Sequence, residues 1–60
     1  MDNPKFQVFQ GKDAQWYFHL QAANGEIICQ SEGYTTKYSC EHGIKSVKEN
    51  APIAPIEDLD

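Results

Sequence analysis

Apolar and polar residues alternate through the first half of the chain, and a helical rhythm replaces that alternation after residue 36. Lys5 to Gln10, KFQVFQ, sets Phe6 and Val8 on one side and Gln7 and Phe9 on the other, the two-residue period of a half-buried strand. Gly11-Lys12-Asp13 reads as a turn, with glycine for an unusual backbone angle and Asp13 for a side-chain to backbone bond. A second strand runs from about Gln15 to Gln21, where Trp16, Phe18 and Leu20 share one face and Tyr17, His19 and Gln21 the other. Asn24-Gly25 then predicts a two-residue type I′ turn, which needs positive φ at both central residues. The stretch from Trp16 to Ser31 is thus a hairpin, and the remaining elements arrange themselves around it.

In the third strand, Glu26 to Gln30, either parity buries one of two adjacent isoleucines. Turning Ile27 and Cys29 inward is favoured, because Glu26 and Gln30 then face outward together with Ile28 between them. Gly33 ends this strand, and Thr35 or Thr36 can cap a helix start. From about Lys37 to Asn50, Cys40, Ile44 and Val47 recur at i, i+4 and i+7, a stripe that packs on the sheet. Gly43 beside it costs about 1 kcal/mol of helix propensity, which points to close approach of the helix backbone to a neighbour. Lys37, Glu41, Lys45 and Glu49 alternate in sign on a solvated face. Asn50 suits a C-cap, and Pro52 blocks continuation. The expected core is Phe6, Val8, Trp16, Phe18, Leu20, Ile27, Ile44 and Val47.

The tail is too apolar at Ile53, Ile56 and Leu59 to be plain solvated chain. A strand over about 53–59, with Pro55 near its start, suits an edge position and needs a partner. The Ala51-Pro52 link is short and stiff, which favours exchange with a second copy over folding back. Ile53, Ile56 and Leu59 would then hold a homodimer together.

Sixty residues make one domain, 1–60, with a core unit of about 5–51, and a chain this short buries only about 60% of its unfolded surface. Met1-Asp2-Asn3-Pro4 has neither the basic start nor the apolar stretch of a signal peptide, and no apolar run approaches the roughly 20 residues of a membrane span. The expected location is therefore the cytoplasm, where Cys29 and Cys40 are free thiols, both read as small buried apolar residues. Net charge is −4, but residues 1–50 balance five Lys against six acids, and Glu57, Asp58 and Asp60 load the tail. A nearly neutral body argues against a large phosphate-binding surface.

The segments AANGEII, SEGYTTK, GIKSVKENAP and IEDL, in that order, resemble the signature of the YegP-like family, small bacterial domains of unknown function also called DUF1508 or UPF0339. The resemblance spans about Phe6 to Leu59. It implies an α+β fold built from a β-β-β-α-β unit. It implies further that two single-repeat chains form one antiparallel-rich sheet, with helices on one face and exchanged C-terminal strands. It brings no activity. Relatives often carry basic residues on the outward face of the second strand, where this chain has Tyr17 and His19, and an anion-binding role is weakened accordingly.

Candidate chemistry is sparse. His19 and His42 lie on different elements, outside any zinc spacing, and Cys40 and His42 are two residues apart on a helix, so their side chains diverge. The acids Glu57, Asp58 and Asp60 lack a calcium-loop spacing, and the four glycines form no phosphate loop. No catalytic residue, metal or cofactor is expected. What remains is the outward sheet face, with Phe9, Tyr17, His19, Ile28 and Gln30 as candidate contacts. The reading these features favour is a non-enzymatic, homodimeric protein-interaction module. The alternative is nucleic-acid or small-ligand binding through that face, although base-stacking sheets normally carry surrounding Lys and Arg that are missing here.

Overall fold

Three strands and one helix stand where the periodicities place them in the computed structural model, which describes residues 3–60. They are β1 (Lys5–Gln10), β2 (Trp16–Gln21), β3 (Ile27–Gln30) and α1 (Lys37–Asn50). The strands form an antiparallel meander in the order β1-β2-β3. Met1 and Asp2, on which part of the signal-peptide reading falls, lie outside the described residues.

The β1–β2 ladder pairs Phe6 with Leu20, Val8 with Phe18 and Phe9 with Tyr17 without interruption. The β2–β3 ladder pairs His19 with Gln30 and Leu20 with Cys29, then slips so that Gln21 meets Ile27. Ile28 is the residue left over in that bulge.

Both hairpin turns have the same construction, and it is not the expected one. After β1, the Ala14 N–H donates to the Gly11 carbonyl (3.0 Å) and the Gly11 N–H to the Gln15 carbonyl (2.8 Å). After β2, the Gly25 N–H donates to the Ala22 carbonyl (2.9 Å) and the Ala22 N–H to the Glu26 carbonyl (2.7 Å). Each loop thus holds three residues, the last at positive φ: Ala14 at 67° and Gly25 at 93°. Asn24 stays out of the left-handed region, so the type I′ assignment is corrected. Its side-chain oxygen accepts from the Glu26 N–H (3.0 Å), as Asp13 Oδ1 accepts from the Gln15 N–H (3.1 Å). Gly11 has no positive φ either. Its role is space, since a Cβ there would stand 2.8 Å from the Tyr17 ring.

Thr36 caps α1, its Oγ1 accepting from the Ser39 N–H (3.0 Å). At the other end Asn50 remains helical, its amide donating to the Ser46 carbonyl (2.8 Å), and Ala51–Ile53 add one 3₁₀ turn containing Pro52. Asn50 is therefore the last helical residue and not an αL cap. Among the described residues no fourth strand forms within one chain: residues 54–60 carry no ladder and are exposed.

The helix lies over β1 and β2 and does not reach β3. Phe18 and Cys40 are the buried residues, and Phe6, Val8, Trp16, Leu20, Ile44 and Val47 are half-buried around them. Phe18 meets Phe6 edge-on (5.8 Å between centroids) and stacks on Tyr34 (6.4 Å). Gly43 has the role expected of it: a Cβ there would collide with the Tyr34 hydroxyl, so the helix sits directly on that ring. Ile27 and Cys29, expected inward, are exposed instead. Cys29 stands opposite Leu20 on the helix side, where α1 stops one strand short, whereas the bulge sets Ile27 opposite Gln21 on the open face.

Candidate functional site

The sheet face away from α1 gathers Gln7 and Phe9 from β1 with Tyr17 and His19 from β2, because alternate residues of paired strands share a side. Phe9 stacks on Tyr17 (5.8 Å, 19° between planes) and lies 5.2 Å from the His19 ring. Three of the five predicted contacts therefore form one aromatic cluster. Gln30 stands across from His19 on β3. Ile28 is displaced by the bulge and remains 61% exposed.

The polar atoms of this face are largely used within it. The Tyr17 hydroxyl donates to Asp13 Oδ2 (2.5 Å), and His19 Nε2 shares a hydrogen bond with Gln7 Oε1 (2.5 Å). The Gln21 amide donates to the Gly25 carbonyl (3.0 Å). The Tyr17 bond, helped by the Gln15 N–H, holds the Asp13 carboxyl below its ordinary value, and the same bond pushes the Tyr17 phenol up. The sequence pattern assigns Asp13 to the turn and Gln7 to this face, but not their bonds to Tyr17 and His19. The register would have found them, since it sets Gln7 opposite His19 and brings the turn acid four residues before Tyr17.

On the opposite side, an open groove of about 700 Å³ runs along α1 between Tyr34 and the helix positions Tyr38, His42, Gly43 and Val47. His42 faces this groove, whereas Cys40 is fully buried, so the two do not meet. Burial pushes the Cys40 thiol up, with the Glu41 charge adding to it, the reverse of what a nucleophile needs. Among the described residues no group of three His, Cys, Asp or Glu stands together as metal ligands, and no helix is long and apolar enough to cross a membrane.

The largest unsatisfied feature is the tail. Ile53, Ile56 and Leu59 are 80%, 99% and 85% exposed. They follow directly on a helix that leaves β3 uncovered.

A family model described as a domain of unknown function, DUF1508, matches residues 12–58. A UPF0339 protein of Methanosarcina acetivorans is 48% identical over 56 residues, spanning 93% of this chain and 97% of that protein. A UPF0339 protein of Bordetella pertussis is 46% identical over 57 residues, 95% of this chain but 51% of that protein. An NMR solution structure of a protein from Haloferax volcanii superposes with a TM-score of 0.87 at 35% identity, covering 98% of this chain and 100% of that one. Relatives of this chain are thus archaeal as well as bacterial, a wider range than the bacterial domains that the resemblance implies.

Proposed function

The chain belongs to the DUF1508 (UPF0339) family, and from that premise we propose that it is a non-enzymatic, homodimeric protein-interaction module whose two subunits complete one sheet by exchanging their tails. The observation that carries this reading is surface. A folded monomer of 6.8 kDa exposes about 4,000 Å² by the scaling of compact proteins, whereas this chain exposes 4988 Å². The excess, roughly 1,000 Å², matches the ~800 Å² that one partner contributes to a standard interface. The radius of gyration agrees: 12.9 Å stands against about 10 Å for sixty compact residues.

The exposed apolar side chains that support this are Ile53, Ile56 and Leu59 on the tail and Ile27 and Ile28 on β3, with Tyr38 on α1 exposed as well. Support also comes from the Bordetella relative, whose length has room for two such units in one chain. The open sheet face then remains as the surface for a protein partner. Its internal pairing, with Tyr17 bound to Asp13 and His19 to Gln7, leaves little hydrogen-bonding capacity for bases, which ranks nucleic-acid or small-ligand binding second. Ser39 and Ser46 line the groove with His42, but among the described residues neither histidine is hydrogen-bonded to a hydroxyl or thiol, which favours a binding role over catalysis.

Sedimentation equilibrium tests the reading. The full chain should sediment as a dimer at micromolar concentration, and a chain ending at Ala51 should be monomeric and less stable. A stable folded monomer, or a truncated chain equally dimeric, contradicts it.

A further inference from the structure

We propose that the open sheet face takes an arginine side chain of the protein partner, with its guanidinium over the Phe9 and Tyr17 rings and against the Asp13 carboxylate. This rests on the protein-interaction reading above and adds the chemistry of the partner.

The two sides of the sheet treat their rings differently. On the helix side the chain supplies its own cations: the Lys37 ammonium lies 5.7 Å from the Trp16 ring centre, and the Lys48 ammonium 5.9 Å from that of Phe6. On the open side Phe9 and Tyr17 stack at 5.8 Å, both half-buried, and among the described residues no lysine lies over either ring. Ring faces are electron-rich, so this stack is a cation seat that the chain itself leaves unfilled.

A carboxylate stands at its rim. The Tyr17 hydroxyl donates to Asp13 Oδ2, and the Gln15 N–H donates to Asp13 Oδ1 (3.1 Å). An ionised carboxylate has about four acceptor sites, so about two stay open to further donors. The groups that hold the Asp13 carboxyl below its ordinary value are hydrogen-bond donors, with no lysine among them. Lys12, its neighbour in the turn, and Lys5, opposite Gln21 at the far end of the face, leave that charge open.

Ring, hydroxyl and carboxylate are set in place before any guest arrives. A Cβ on Gly11 would stand 2.8 Å from the Tyr17 ring, and one on Gly33 would stand 3.2 Å from the Tyr17 hydroxyl and overlap the Gln15 amide. The two glycines leave the room that Tyr17 fills. Docking on such a shelf orders the incoming side chain and little else.

Chemistry selects that side chain. What Asp13 has left is acceptor capacity, which suits a group with donors and no acceptor. A guanidinium stacks flat on a ring while forking onto a carboxylate, and it sheds water more readily than an ammonium. An acidic segment or a phosphate would meet the carboxylate instead, on a chain whose net charge is already −4.

NMR titration of the full-length protein tests this. The probe is a short capped peptide with a single arginine among glycines and serines, set against the same peptide carrying citrulline, which keeps the planar shape without the charge. The amides of Phe9, Asp13 and Tyr17 should shift with the arginine peptide, and the citrulline peptide should bind at least about tenfold more weakly. Asp13→Asn, which keeps an oxygen for the Gln15 N–H, should weaken the arginine peptide about tenfold, and Phe9→Leu should weaken it several-fold. Replacing the tail acids together, Glu57→Gln, Asp58→Asn and Asp60→Asn, should leave binding unchanged. Equal binding of the citrulline peptide, undiminished binding by Asp13→Asn, or shifts that vanish with the tail acids overturns the proposal. An acidic or apolar peptide that moves the Phe9 and Tyr17 signals when the arginine peptide does not overturns the arginine contact and leaves the protein-interaction reading standing. Single-stranded DNA that moves them when no peptide does overturns both.

Discussion

Residues 5–50 and residues 51–60 dispose of their polar and apolar groups in opposite ways. In the first region two ladders, two side-chain-braced turns and a capped helix account for the backbone, and buried side-chain nitrogens and oxygens all have partners among the described residues. In the second, Ile53, Ile56 and Leu59 face solvent and the backbone past the 3₁₀ turn has no ladder. Burying apolar surface is the main favourable term in folding, and a unit whose buried residues, among those described, are Phe18 and Cys40 has little of it. The difference teaches that the body satisfies its own groups and the tail does not, which is the ground of the proposed exchange.

The contrast breaks most severely if the scant core is removed. Phe18→Ala should cost about 3 to 5 kcal/mol, enough to unfold the chain, and circular dichroism during denaturation would read it. Ile44→Ala should cost about 2 kcal/mol, the low end for such a truncation because the side chain is only half-buried. A change below about half a kcal/mol would show that α1 packs through another face.

The turns sharpen the comparison, because they test whether the body holds by local geometry alone. Gly25→Val should lose about 1 to 2 kcal/mol at φ 93°, a region that β-branched residues avoid. Ala14→Gly should move the other way, gaining about half a kcal/mol, since alanine at φ 67° carries a left-handed cost that glycine avoids. Thermal shifts of opposite sign, the loss larger than the gain, would confirm that both loops share one geometry. An unchanged melting temperature in Gly25→Val would break that equivalence.

The smallest effect is a pH dependence. The Asp13 carboxyl is held below its ordinary value of 3.8 by Tyr17 and the Gln15 N–H, so its contribution is present above that value. As pH falls further, through the lowered folded-state value, the contribution disappears. Asp13→Asn should flatten this acid limb of the stability profile, and urea melts across that range would detect it. A limb of unchanged slope would remove Asp13 from the account.

What could be read from the sequence follows the range of the forces involved. Strands, helix and the Thr36 cap are local patterns, and each lies where its periodicity sets it. The burial of Cys29 depends on how far α1 extends over the sheet and the face of Ile27 on the bulge at Ile28, and no local pattern encodes either. The Asn24-Gly25 turn was mistyped by one residue of loop length, since an Asx bond at Asn24 and positive φ at Gly25 alone satisfy the same dipeptide. Phe9, Tyr17 and His19 share the face that alternation assigns them, but their partners Asp13 and Gln7 follow from the register across the hairpin. The tail is the least local of all, for its spacing shows need of a cover without naming one.

The central claim is that folding and association are one event, and the melting temperature tests it over about a hundredfold range of protein concentration. The account predicts a melting temperature that climbs steadily with concentration, as for a dimer whose subunits unfold on separating. A melting temperature independent of concentration, in a chain that still unfolds cooperatively, would contradict it.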